Sequence, residues 1–82
     1  MFYTYIVRCK DGSLYTGFTV DPVRRIQTHN DGKGAKYTRS RLPVCLVHLE
    51  QFETEREARS RECAIKRMTR ADKLRLISRE QS

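Results

Sequence analysis

At 82 residues, with 17 lysines and arginines against 10 acids and a net charge of +7, the chain is sized for one domain spanning residues 1–82. Charged residues make up 33% and hydrophobic ones 38%, a balance that excludes a disordered basic tail, while the length excludes an elaborate multi-step enzyme. A domain this small buries only about 60% of its unfolded surface, so any site is expected on a shallow face.

Residues 2–9, Phe-Tyr-Thr-Tyr-Ile-Val-Arg-Cys, are aromatic and β-branched and are predicted as a strand. Lys10-Asp11-Gly12 is a turn, and residues 13–19, Ser-Leu-Tyr-Thr-Gly-Phe-Thr, form the second strand of a hairpin. The turn length matters. A two-residue loop sets Tyr5 and Tyr15 on opposite faces. A three-residue loop with Gly12 left-handed pairs Tyr5 with Gly17 and puts Tyr5 and Tyr15 on one face, as diagonal neighbours. The single glycine after Asp11 favours the three-residue form.

Asp21 is a good cap for a helix with Pro22 at its first position. That helix runs through Val23, Ile26 and His29 and stops near Asn30-Asp31-Gly32, with Arg25 and His29 on one face. Residues 32–43, Gly-Lys-Gly-Ala-Lys-Tyr-Thr-Arg-Ser-Arg-Leu-Pro, are expected as a glycine-rich basic loop without Walker A spacing. It is either a mobile solvated connection or a backbone clamp for phosphate. Residues 44–52 are predicted as the third strand. Thr54-Glu55-Arg56-Glu57 is a capping box, and Ala58, Arg61, Glu62, Ile65 and Met68 line one side of the helix it starts. Thr69 caps a last helix in which Ala71, Leu74, Ile77 and Ser78 share a face. The order β-β-α-β-α-α implies an α+β domain: a three-stranded, mainly antiparallel sheet flanked by helices.

The excess charge is concentrated. Residues 22–43 carry +5 and residues 56–79 carry +6, separated by residues 44–55 at −3. Two such segments in so small a domain point to a polyanion, nucleic acid before any other. The blander reading is solubility, since small domains often carry a net charge of about 2–8. A membrane partner is not expected. No run of 18 apolar residues exists, residues 1–10 lack a signal-peptide core, and the basic segments have no apolar face rich in Trp and Phe. Cys9, Cys45 and Cys63 are odd in number and contain no C-x-x-C pair. They are expected as buried small apolar residues in a reducing, cytoplasmic setting. His29 and His48 do not supply zinc-finger spacing.

One constellation carries chemistry. Tyr5 and Tyr15 are ten apart, Arg25 follows Tyr15 by ten, His29 follows Arg25 by four, and Glu62 sits in a later amphipathic helix. In this the chain resembles the GIY-YIG nuclease superfamily over residues 2–77. The first signature tripeptide appears as Tyr3-Thr4-Tyr5 and the second as Tyr15-Thr16-Gly17. Arg25 matches the family's helix arginine, His29 the position four later, and Glu62 the metal-binding glutamate. The Gly-Lys-Gly-Ala-Lys run is similar to that of the small stand-alone bacterial branch, an uncharacterised protein family. Departures are Tyr3 and Thr4 in the first tripeptide, Thr16 in the second, Phe18 after it, and no asparagine in residues 70–82.

The resemblance implies endonucleolytic hydrolysis of phosphodiester bonds with a single Mg²⁺ or Mn²⁺ near Glu62, the substrate DNA ahead of RNA. One carboxylate suffices where water and phosphate oxygens fill the other positions of the ion. Arg25 is suited to grip phosphate bidentately. Tyr5 is the candidate general base, aided by Tyr15 or His29. Its ordinary pKa near ~10 requires an activating neighbour. Arg24, Lys33, Lys36, Tyr37, Arg39, Arg41 and Lys66 are candidate nucleic-acid contacts, with Tyr37 stacking on a base. Each catalytic candidate also has an ordinary role open to it. The tyrosines suit a sheet, Arg25 a solvated helix face, His29 a helix C-terminus, and Glu62 an ion pair with Lys66. Two other functions compete: a non-catalytic nucleic-acid-binding module, and a structural basic protein of a ribonucleoprotein particle. The chain is expected to act as a monomer.

Overall fold

The computed structural model describes residues 1–81. Strand β1 (Phe2–Arg8) pairs antiparallel with β2 (Leu14–Thr19) on one side and with β3 (Cys45–Phe52) on the other, giving the order β2-β1-β3. The hairpin takes the three-residue register: Tyr5 faces Gly17, Val7 faces Tyr15, and Gly12 has φ +85°. Asp11 holds the turn by accepting from the Ser13 backbone N–H (3.0 Å) and hydroxyl (2.6 Å). Val47 is an extra residue in β3 at a bulge opposite Ile6 and Val7.

Helix α1 (Pro22–Asn30) follows β2 directly, and Asp21 Oδ1 accepts from the Arg24 N–H at 3.1 Å as its cap. Residues 32–43 are more ordered than a loop. They contain a one-turn helix, α2 (Lys36–Arg39), so the order is β-β-α-α-β-α-α. Helices α3 (Glu55–Lys66) and α4 (Arg70–Gln81) are capped by Thr54 and Thr69, which accept from the N–H groups of Glu57 and Asp72. In the capping box Glu57 also accepts from the Thr54 hydroxyl, at 2.8 Å.

Alternation along β1 splits the core between the two sheet faces. Tyr5, Val7 and Cys9 pack with Val44, Ile26, Leu42 and Leu49 on one. Ile6 packs with Ile65 and Ile77 on the other, together with Leu14, Val47, Met68 and Leu76. Thr4 donates to the Ala58 carbonyl at 2.6 Å, and Arg61 reaches Glu50 at 2.9 Å, so α3 is tied to β1 and β3 by polar contacts as well as apolar ones.

Three expectations are corrected. Cys45 and Cys63 are exposed and only Cys9 is buried. Cys45 opens β3 two residues before the bulge, opposite exposed Arg8, and Cys63 lies on the outer side of α3. In α4 the inward face holds Ile77 and Leu76 rather than Ala71, Leu74 and Ser78. Leu74 and Leu76 lie on different stripes of the helix, and packing against the cluster of Ile6, Ile65 and Ile77 selects the one holding Leu76. Val23 points outward at 81% exposure, leaving Ile26 to seat α1.

Candidate active site

Tyr5 projects from the central strand toward α1, and its ring is 1% exposed. Its hydroxyl lies 2.9 Å from His29 Nε2 and accepts from Arg25 Nε at 3.3 Å. Both partners come from one face of α1, at the spacing of four that stacks side chains along a helix. His29 itself is wholly buried, and its Nδ1 lies 2.9 Å from Thr38 Oγ1. Thr38 donates its single proton to the Ala35 carbonyl at 2.9 Å. Its oxygen must therefore accept from His29, which puts the imidazole proton on Nδ1. This tautomer is assigned from the hydrogen-bond network. Nε2 is then the acceptor, and Tyr5 is the donor. The result is a directed chain: Tyr5 O–H to His29, His29 N–H to Thr38, Thr38 O–H to Ala35.

The electrostatics agree with that direction. Burial lowers the His29 pKa from its ordinary 6.5, and the Arg25 charge lowers it further, so the ring is neutral at pH 7. Burial raises the Tyr5 pKa from its ordinary 10.0; the hydrogen bond and charge of Arg25 oppose this, and Tyr15 and Glu62 add to it. The phenol is therefore protonated at rest and donates its hydrogen bond to a neutral imidazole. Arg25 spends only Nε on Tyr5; its terminal nitrogens hold no hydrogen bond among the described residues.

Tyr15 lies edge-on to His29, with centroids 5.6 Å apart, and stacks on Tyr37 at 6.0 Å. Arg41 covers the Tyr37 ring at 4.0 Å and is tied to Asp11 at 3.1 Å and to the Tyr37 carbonyl at 2.6 Å. Tyr37 is 40% exposed, so it brings the aromatic row from buried His29 to the surface. Arg24, Lys33, Lys36 and Arg39 are exposed on α1 and the segment after it. Phe18 stacks on Phe2 and carries Arg59 over its ring at 4.2 Å.

Glu62 lies on α3, which packs across β1 and the edge strand β2. Its carboxylate is half-buried and pairs with Lys66 Nζ at 2.9 Å, the i,i+4 pairing open to it from the sequence. That pairing raises the Lys66 pKa from 10.5. The Glu62 charge adds to the rise in the Tyr5 pKa, and the Tyr5 and Tyr15 phenols add to that of Lys66. Among the described residues no three of His, Cys, Asp and Glu gather as a ready metal cage. The donor set nevertheless suits a hard cation: a half-buried carboxylate that already draws an ammonium. Mg²⁺ is bound in this way, through one or two carboxylates with water and phosphate completing its shell.

Two glycines keep the centre open. A Cβ on Gly17 would run into the Tyr5 hydroxyl, and one on Gly34 would run into His29 Nδ1 and lie 2.9 Å from the His29 Cα. Backbone cannot swing aside as a flexible side chain can. Gly34→Ala is therefore expected to destabilise the fold by about 1–3 kcal/mol. A thermal melt checks this, since each kcal/mol moves the Tm by roughly 4–8 °C in a domain of this size. Sequence alone gives Thr38 and Gly34 no individual role, because nothing local shows that this segment folds back onto His29. Asn30 was also missed. It exchanges hydrogen bonds with both backbone groups of Val44, at 2.7 and 3.1 Å, and fastens the end of α1 to the start of β3.

A family model described as the GIY-YIG catalytic domain matches residues 1–75. The chain belongs to the GIY-YIG family. This is a nuclease superfamily whose enzymes generally use a divalent metal and act on nucleic acid. The GIY-YIG chain is 60% identical over 78 residues to a UPF0213 protein of Clostridium perfringens, covering 95% of this chain and 84% of that one. It is 58% identical over 76 residues to a UPF0213 protein of Staphylococcus saprophyticus, covering 93% of each. Solution NMR structures are similar as well. The UPF0213 protein of Bacillus halodurans superposes with a TM-score of 0.62 at 49% identity, over 95% of this chain and 84% of that one. A protein of E. faecalis superposes with a TM-score of 0.63 at 44% identity, over 96% and 84%. No helix among the described residues is long and apolar enough to cross a membrane.

Proposed function

We propose that this GIY-YIG chain is a divalent-metal-dependent endonuclease that hydrolyses phosphodiester bonds in DNA, as a cytoplasmic one-domain monomer serving repair or recombination. The observation that carries the reading is the directed chain from Tyr5 through His29 and Thr38 to Ala35, with Arg25 on the same phenol oxygen. A sheet tyrosine with only a packing role needs neither a neutral imidazole acceptor nor a guanidinium donor.

In the proposed mechanism Arg25 holds a nonbridging phosphate oxygen through its terminal nitrogens. Tyr5 passes its proton to His29 Nε2, and Arg25 Nε stabilises the phenolate that results. The phenolate takes a proton from the attacking water as its oxygen bonds to phosphorus, and the bond to the leaving oxygen breaks with that oxygen taking a proton from solvent water. Thr38 holds the imidazole in the tautomer that can accept. A divalent ion at Glu62 would supply Lewis-acid stabilisation of the charge on phosphate. Lys66, which occupies the Glu62 carboxylate, would then turn to phosphate.

The reading is tested by nicking of supercoiled plasmid with and without Mg²⁺ or Mn²⁺, wild type beside Glu62→Ala. Metal-dependent nicking absent from the variant is expected. Salt-sensitive DNA binding without nicking by the wild type would favour the non-catalytic binding module, a reading to which the Glu62–Lys66 ion pair lends some support.

The pH profile follows from His29. Its folded pKa is depressed, so the ring stays an acceptor at pH 7 and gains a proton only below its ordinary 6.5. Cleavage is expected to hold at neutral pH and to fall on the acid side, where a protonated Nε2 can no longer take the Tyr5 proton. Stability moves with it. The neutral buried ring contributes above 6.5, and that contribution is lost as pH falls through the lower folded value. Rates and melts over the same acid range check both.

A further inference from the structure

A pocket of about 240 Å³ opens beside the site, between the edge strand and the last two helices. It is lined by Leu14, Tyr15, Thr16, Tyr37, Lys66 and Lys73. No lining residue is acidic, and two are lysines. Lys73 is half-buried, and its ammonium has no ion pair among the described residues. Thr16 is 3% exposed, and its Oγ1 has no hydrogen-bond partner among the described residues. A buried hydroxyl without a partner is unfavourable, and Lys73 brings to the pocket a charge with no counter-ion among the described residues. A ligand bearing negative acceptor oxygens supplies the counter-ion for Lys73, and the Thr16 hydroxyl, closed to solvent as it stands, reaches it by a turn of its side chain. Lys66 joins this pocket to the site, since it also pairs with Glu62.

We propose that this pocket is a second phosphate subsite, built from Lys73, Lys66 and Thr16, that takes a backbone phosphate of the bound DNA strand beside the one that Arg25 holds. The assignment rests on the nuclease reading above. The Tyr15–Tyr37 stack walls the pocket and sets the path of the strand, while Lys73 fixes its register without reading sequence.

The test is fluorescence anisotropy of a labelled DNA duplex with the whole chain, in chelator, across a salt series. The variants are Lys73→Gln, Lys73→Arg, and Lys10→Gln as an exposed control of equal charge outside the pocket. Losing one phosphate contact lowers the salt slope by about 0.9 and weakens binding about eightfold near ~0.1 M salt. Lys73→Gln is expected to show that loss, Lys73→Arg to restore most of the affinity, and Lys10→Gln to change little. Wild-type binding that Lys73→Gln leaves unchanged, or weakens no more than Lys10→Gln does, overturns the subsite and leaves the nuclease reading standing. A wild type that binds no DNA overturns both, and plasmid nicking separately reports on the parent reading.

Discussion

Glu62→Ala is expected to fold, to bind DNA at least as tightly as the wild type, and to lose metal-dependent nicking by about a thousandfold or more. The size follows from the role: a divalent ion supplies several kcal/mol of transition-state stabilisation, and each 1.36 kcal/mol is tenfold in rate. The fold should tolerate the change. Glu62 makes one ion pair, with a lysine that is half exposed, and pairs of that kind contribute only about 0.3–0.5 kcal/mol. Binding should hold because the change removes a negative charge and releases Lys66 for phosphate. Supercoiled-plasmid nicking read beside anisotropy separates the two effects. Full nicking by the variant would place the metal elsewhere.

Tyr5→Phe is the second large effect, with cleavage falling by roughly 10²–10⁴, the usual contribution of a positioned acid or base. The ring keeps its packing against Val7, Val44 and Ile26, so the core loses no volume. The cost to stability is that of His29 Nε2 losing its donor and Arg25 Nε its acceptor, about 1–3 kcal/mol. Because Tyr5 and His29 act as one relay, Tyr5→Phe combined with His29→Gln should be little slower than either change alone. Single-turnover rates at saturating metal decide this. A Tyr5→Phe protein that cleaves at the wild-type rate would remove Tyr5 as the base.

The hairpin was legible because one glycine in its turn dictates the register, and the register alone decides that Tyr5 and Tyr15 share a face. Helix starts were legible for a similarly local reason: Asp21, Thr54 and Thr69 each cap the helix that follows. The polar environment of Tyr5 was only half legible. Spacing put Arg25 and His29 on one helical face, but nothing local indicates that Thr38, nine residues further on, folds back to orient the imidazole. The inward face of α4 was illegible because two leucines two residues apart point to different sides, and only packing against the cluster of Ile6, Ile65 and Ile77 chooses between them. The pocket at Lys73 depends on α4 meeting the edge strand, a tertiary contact that no sequence window contains.

The basic segment after α1 is fastened at three points: Thr38 to His29, Arg41 to Asp11, and Asn30 to the Val44 backbone just beyond it. Lys33, Lys36 and Arg39 are thus carried on a preorganised scaffold. Encounter with a polyanion needs no disorder-to-order transition there, so its ordering entropy has been met during folding and is not charged against affinity. The fastening that orients the imidazole also shapes the landing surface, which couples the geometry of the strand's arrival to that of the proton transfer.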